Sequence, residues 1–328
     1  MIKKITVAFS AALLLLTSMA EAQKNEKLEF VKEKSISKTY PAGGNTLSIT
    51  NSFGHVKFIA WDKNEIKVDV RIEVSSSDKD NAERTFEGIT VSDNQSGDKI
   101  RFKTNHAQSN NNSCHNCRTN MQVNYEVHLP STVALEVNNS FGNTELPDYK
   151  GAVDITNKFG NLIAGSLTNV KDLHVEFGKV QIKSVSNINV TFKFSKIQIE
   201  NLSGANKITM DFCDSSKIVL PDNLVSLDLK ESYSTINLKP SAGLAASYYI
   251  RTSFGNFIDR TSVGVTRTDQ RERYGADSER TYEGKSGAGT AKVNIRSSFG
   301  KLILGEATAE DMKKTTQAKK SKYAGKVI

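Results

Sequence analysis

Through most of the chain, apolar and polar residues alternate with period two in short runs broken by glycine, the pattern of half-buried strands. One register recurs. An aromatic stands at Phe53, Phe141, Phe159, Phe177, Phe194, Phe212, Tyr233, Phe254 and Phe299. Four residues before each come Ile49, Val137, Ile155, Leu173, Val190, Ile208, Leu229, Ile250 and Ile295, all aliphatic. From Phe141 to Phe254 the spacings are 18, 18, 17, 18, 21 and 21 residues. A fixed period of this length is the signature of stacked repeats.

Most of these aromatics are followed by glycine, with Ser195, Cys213 and Ser234 replacing it in the middle repeats. After the glycine the apolar parity flips: Val180 and Ile182 follow Phe177 at plus three and plus five. A continuous strand would keep its parity, so each aromatic-glycine pair marks a corner, where glycine accepts positive φ and lets neighbouring backbone approach. A third apolar position falls at plus eight, in Tyr149, Leu167, Val185 and Leu202. The expected fold is all-β: a parallel β-solenoid (a β-helix or β-roll) with ~18-residue rungs, its aromatics forming a core ladder. Stacked strands about 4.8 Å apart make eight or nine rungs roughly 40 Å long. The pair Ile218/Leu220 arrives three residues late after Phe212, which predicts a bulge or wider corner.

Two stretches leave the repeat. "IKVDVRIEV" (66–74) reads as a long strand, and "SDKDNAERTFEGI" as a short helix with Ala82, Phe86 and Ile89 on one face and Ser77 or Asp78 as N-cap. Strands are expected at 89–91, 99–103 and 121–129. The charged, glycine-rich segment 259–290 reads as an exposed loop or hairpin insertion. The organisation is therefore a β-rich N-terminal cap region with one short helix (23–132), repeats over 133–305 and a basic tail over 306–328.

Residues 1–22 have the layout of a secretory signal peptide: Lys3 and Lys4, an apolar run from Ile5 to Leu16, and Ala20-Glu21-Ala22 as the cleavage site. The run falls short of the ~20 residues a membrane span needs, and no later segment approaches that length. The expected destination is the periplasm, cell surface or extracellular space, with no transmembrane segment in the mature chain. The formal net charge of +8 becomes +7 once two lysines and one glutamate leave with the leader. Six lysines and no acid lie between Lys313 and Lys326, which reads either as a solvated terminus or as attraction to anionic lipid or glycan. Export and the absence of a nucleic-acid motif argue against nucleic acid as a partner.

"GHVKFIAWDKNEIKVDV" (54–70), "VNYEVHLPSTVALEVNNSFGNTEL" (123–146) and "GAGTAKVNIRSSFGKLIL" (287–304) together resemble the bacterial adhesin-like domains of unknown function, exported β-solenoid proteins. The likeness spans about Thr46 to Leu304. It implies the same architecture and a structural or adhesive surface role. It transfers no catalytic residue, because that family has none established.

Chemistry-bearing candidates are few. Cys114 and Cys117 flank His115, with His106 and His128 nearby. In an exported chain a Cys114–Cys117 disulfide is the leading reading. A reduced pair, a metal site or a redox-active motif remain as alternatives, though a single Cys pair is short of the four ligands a structural metal requires. Cys213 reads as a packed free thiol. Gly284-Lys285-Ser286 lacks the upstream glycine of a phosphate loop, since Glu279 holds that place. Asn143, Asn161, Lys179, Lys196, Asn256 and Lys301 recur after the corner as a candidate surface ladder, either a binding face or the solvated side of a strand. The carboxylates, such as Glu145, Glu176 and Asp211, read as scattered. No cofactor or enzymatic activity is expected. The reading is a rigid binding surface for a glycan or envelope protein, with a carbohydrate-binding or carbohydrate-active protein and a periplasmic accessory to envelope-stress signalling as alternatives.

Overall fold

The computed structural model describes residues 28–107, 117–269 and 278–312. The expected leader, Cys114 and His115, and the lysines from Lys313 onward lie outside them. The fold is all-β, with twenty-five strands and one helix among the described residues.

Strands pair along two faces. On one, Thr46–Ser52, Ala134–Ser140, Val153–Lys158, Val170–Glu176, Asn189–Lys193, Leu202–Asp211 and Leu224–Ser232 lie side by side, each parallel to the next. On the other, the same holds for Val56–Ala60, Thr144–Leu146, Leu162–Leu167, Lys179–Ser186, Lys196–Ile199, Ser216–Leu220 and Thr235–Pro240. Register partners in the repeat are mostly 17 to 21 residues apart, as in His174 beside Thr191, Ile155 beside Leu173 and Ile208 beside Leu229. The faces join at Leu202–Asp211, whose first residues pair with Val185 and Ser186 and whose remainder pairs with Asn189–Lys193.

Period two decides what is buried. The residues four before each aromatic, from Ile49 to Ile295, have almost no exposure. Val180 and Ile182 are buried after the corner, and Tyr149, Leu167, Val185 and Leu202 supply a third buried column. The columns merge into one hydrophobic cluster. Each such side chain contributes roughly 1.5–3 kcal/mol.

The end layers depart from chain order. Ala291–Ser298 lies between Leu224–Ser232 and Ala246–Ser253, and Lys301–Gly305 between Thr235–Pro240 and Asn256–Arg260. At the opposite end Thr46–Ser52 lies between Lys99–His106 and Ala134–Ser140. The 45 residues from Phe254 to Phe299 are thus a detour. The chain finishes the outer layer, returns as Glu279–Lys285 antiparallel to Ala246–Ser253, and then enters the layer inside it. The segment read as an exposed loop or hairpin thus holds two antiparallel strands, Thr266–Arg267 and Glu279–Lys285, the second of which joins the sheet edge. Placement between two layers pairs both backbone edges of the inserted strands, which satisfies their donors and acceptors.

In the N-terminal region Glu65–Ser76 is antiparallel to both Phe30–Pro41 and Thr119–Leu129. The helix is Lys79–Glu87. The Asp78 carboxylate caps it by accepting from the Asn81 backbone N–H at 2.7 Å, and Ala82 is buried beneath it. The late pair after Phe212 is absorbed by Ser215, which takes φ 51° immediately before Ser216–Leu220. Cys213 is free and buried, its Sγ donating to the carbonyls of Phe192 and Asp211. Cys117 is disulfide-bonded.

Candidate functional site

The aromatics are not in the core. Counting back from each ring, the residues at minus four and minus two point inward, so strand parity would send the ring inward too. Instead every aromatic of the series adopts φ between 48° and 61°. That left-handed step turns the chain at the aromatic itself and throws the ring outward. From Phe141 to Phe299 the rings are 46–60% exposed. Phe53 is half-buried because His106 packs edge-on against it at 5.4 Å.

The following glycine has another role than the one its conformational freedom suggests. None of the glycines directly after a ring has positive φ. A Cβ at Gly142, Gly160 or Gly178 would fall on the carbonyl oxygen of Gly54, Gly142 or Gly160 in the preceding layer. Where glycine is replaced, the side chain hydrogen-bonds into this space. Ser195 Oγ accepts from Gly178 N–H at 3.2 Å, and Ser234 Oγ accepts from Cys213 N–H at 2.9 Å.

The rings stack in layer order: Phe53, Phe141, Phe159, Phe177, Phe194, Phe212, Tyr233, Phe299, Phe254. Centroids are 4.7–5.1 Å apart and adjacent planes lie within 8° of parallel. Each left-handed non-glycine residue costs on the order of 1–3 kcal/mol. Each aromatic pair returns about 0.5–1.5 kcal/mol, so the stack offsets part of the strain. Face-to-face stacking also fixes what the ridge offers. Ring edges point to solvent, while ring faces are covered by neighbours; among the described residues no ring stacks on the outer side of Phe254.

Beside the rings run two polar columns. One, directly before each ring, holds Lys158, Glu176, Lys193 and Asp211; the other, after the corner, holds Asn143, Asn161, Lys179, Lys196, Asp214, Lys301 and Asn256. Two asparagines of the expected surface ladder are used internally. Asn143 Oδ1 accepts from Asn161 N–H at 2.9 Å, and Asn161 Oδ1 accepts from Lys179 N–H at 3.0 Å. Lys158 pairs with Glu176 at 3.3 Å. A groove of about 720 Å³ follows the ridge between Phe194 and Phe254, with Lys196, Asp214, Asn256 and Lys301 among its walls. The chain returns to this flank at Met312, whose carbonyl accepts from Ser215 Oγ at 3.4 Å. Asp311 is held there by Arg260 at 2.9 Å.

The other candidates are separated. His106 packs on Phe53 and His128 on Trp61. Gly284-Lys285-Ser286 is followed by the strand Ala291–Ser298 rather than a helix, and Ser286 Oγ donates to the Leu244 carbonyl. Among the described residues no group of three or more His, Cys, Asp or Glu side chains converges as a metal site. The reading of carboxylates as scattered needs one correction. Glu136, Asp154 and Asp172 stand in register on successive layers, and burial together with those two neighbours raises the Asp154 carboxyl above its usual value.

Sequence reasoning passed over the column two residues before the ring. It is buried in every layer and polar in most: Asn51, Asn139, Asn157, then Val175, Phe192 and Met210, then Glu231, Ser297 and Thr252. Asn51 accepts from Thr104 at 2.8 Å, and Asn157 accepts from Thr144 at 2.7 Å. Glu231 is 1% exposed, and neither of its oxygens makes a hydrogen bond. The repeated Asn-x-Phe-Gly of the first layers was its only signal in the sequence.

No protein-family model matches the chain, and no curated protein matches it in sequence. Solved structures do resemble it. A candidate adhesin from Bacteroides fragilis aligns over 83% of this chain and 97% of its own, with 13% identity and a TM-score of 0.40. A candidate adhesin from Parabacteroides merdae covers 85% of this chain and 97% of its own, at 11% identity and a TM-score of 0.28. A candidate cell adhesion protein from Clostridium sporogenes covers 84% and 100%, at 10% identity and a TM-score of 0.21. No helix among the described residues is long and apolar enough to cross a membrane.

Proposed function

We propose that this chain is an exported, non-catalytic parallel β-solenoid that presents its ring ladder as a rigid binding face. The observation that carries this reading is the ridge of nine parallel, face-to-face stacked aromatics held outward by nine left-handed residues. A fold seeking only stability would turn such rings inward, where burial contributes more. Apolar surface kept in water, in one continuous stack, is the mark of an interaction surface. Parallel pairing at 17–21-residue spacing supports the coiled architecture, and the leader-like residues 1–22 support export. A sugar-binding role has weaker support. Sugars lie flat on an exposed ring face, and among the described residues every ring but Phe254 has its faces covered by a neighbour.

The test is binding of the full chain to isolated bacterial envelopes, beside a variant with Phe141, Phe159 and Phe177 changed to Asn. Asn tolerates the left-handed conformation and removes the ring. Binding is expected for the native chain and a large loss for the variant. Equal binding by a folded variant would remove the ladder from the function. Turnover of envelope polysaccharide would overturn the non-catalytic reading.

A further inference from the structure

We infer that the partner of the ladder face is the surface of an anionic phospholipid bilayer; this rests on the reading of the ridge as a binding face. Shape is the first argument. Nine rings in steps of 4.7–5.1 Å, each within 8° of parallel to the next, make a continuous ridge roughly 40 Å long. An extended flat partner can lie along the whole ridge, whereas a globular one of ordinary size meets a few rings.

Chemistry is the second. Along its length the ridge exposes ring edges rather than stacking faces, the end ring Phe254 aside. The boundary between headgroups and acyl chains accepts apolar edges without requiring a face.

Charge is the third. The two columns beside the rings carry Lys158, Lys179, Lys193, Lys196 and Lys301 against Glu176, Asp211 and Asp214. At Met312 the chain is fixed to this same flank, and the sequence from Lys313 to Lys326 carries six lysines and no acid. Basic residues near an anionic leaflet are attracted to it, and apolar contact with several lysines supplies the two signals that stable peripheral binding needs. A second copy of the chain fits the ridge less well, because it would bring two lysine-bearing flanks together.

The test is cosedimentation of the full chain with phosphatidylcholine vesicles, with and without about 30% phosphatidylglycerol, in low salt and in about 0.5 M salt, where screening is strong. Binding is expected only with the anionic lipid, and weaker in high salt. Three variants are compared: the Phe141, Phe159 and Phe177→Asn triple; Lys179→Glu with Lys196→Glu, which leaves every ring in place; and Lys313, Lys314, Lys319, Lys320 and Lys322→Gln. Each is expected to lose tenfold or more. The inference is overturned if neutral vesicles bind equally, if either of the first two variants folds cooperatively and binds like the native chain, or if a soluble acidic polysaccharide competes the vesicles away. It is also overturned if light scattering shows a dimer that the ring triple abolishes. If vesicles fail while envelope binding stays ring-dependent, the lipid partner falls and the binding face stands.

Discussion

A Cβ on residue 160 would lie inside the carbonyl oxygen of Gly142, one layer away. The contact is backbone against backbone, so no rotamer change relieves it. Gly160→Ala must therefore push the adjacent layers apart or bend the corner. We expect a loss of about 3 kcal/mol or more, since overpacking alone costs about 1–3 and here no side chain can yield. Gly44, whose surroundings are open but whose φ is +74°, is the control: alanine there meets only conformational strain, about 1 kcal/mol. Urea midpoints of the two variants should separate clearly. A Gly160→Ala protein as stable as the Gly44→Ala protein would show that the layers are looser than the structure has them.

The rings make a second prediction about backbone rather than side-chain chemistry. Phe177 sits at φ 55° between Phe159 and Phe194, with its planes within 3° of both. Asn gains from the left-handed step what it loses in stacking, so Phe177→Asn should change stability by no more than about 1 kcal/mol. Val has a branched Cβ that this conformation crowds, and it stacks with nothing. Phe177→Val should lose at least about 2 kcal/mol. If the two variants melt together, ring stacking rather than the turn governs the site.

Cysteine accessibility gives a third. Burial pushes the Cys213 thiol up to about 12, and the thiolate is the reactive form. The folded chain should leave Cys213 unlabelled by iodoacetamide at neutral pH, and denaturant should expose it. The proposed Cys114–Cys117 bridge should appear in the intact mass as two hydrogens gained on reduction. Labelling of three cysteines in denaturant without reductant would rule the bridge out.

How much of this was legible in the sequence depends on the range of the interaction involved. The spacing of Phe141, Phe159 and Phe177, and the aliphatic residues four before them, follow from period two and one repeated corner, both local. Outward rings were not legible, because a left-handed phenylalanine is disfavoured locally and persists only through its stacked neighbours. The inserted layer was not legible either: Leu229 pairs with Ile295 across 66 residues, and nothing near either residue announces it. Glu231 inherits that limit, because the layer that buries it is the inserted one.

Glu231 carries the last prediction. Its carboxylate lies where a Cβ on Gly300 would stand, so the glycine of the inserted layer makes room for it. Burial pushes its pKa up to about 7. The Ser297 hydroxyl and Ser234 N–H pull it down in part without forming a hydrogen bond of good geometry, and the Asp211 charge adds to the rise. In the unfolded chain the same carboxyl titrates near its ordinary value of 4.5. Below that pH both states hold the proton and the folded state bears no penalty. As pH climbs to about 7 the unfolded chain ionises while the folded one does not, so stability falls, and it levels off once Glu231 ionises in place. The loss is on the order of 3 kcal/mol. Glu231→Gln should flatten this slope and leave the variant more stable than the native chain at pH 8. Urea midpoints of both proteins from pH 4 to pH 8 provide the measurement, and parallel curves would mean that Glu231 is hydrated in solution and that the inserted layer does not seal it.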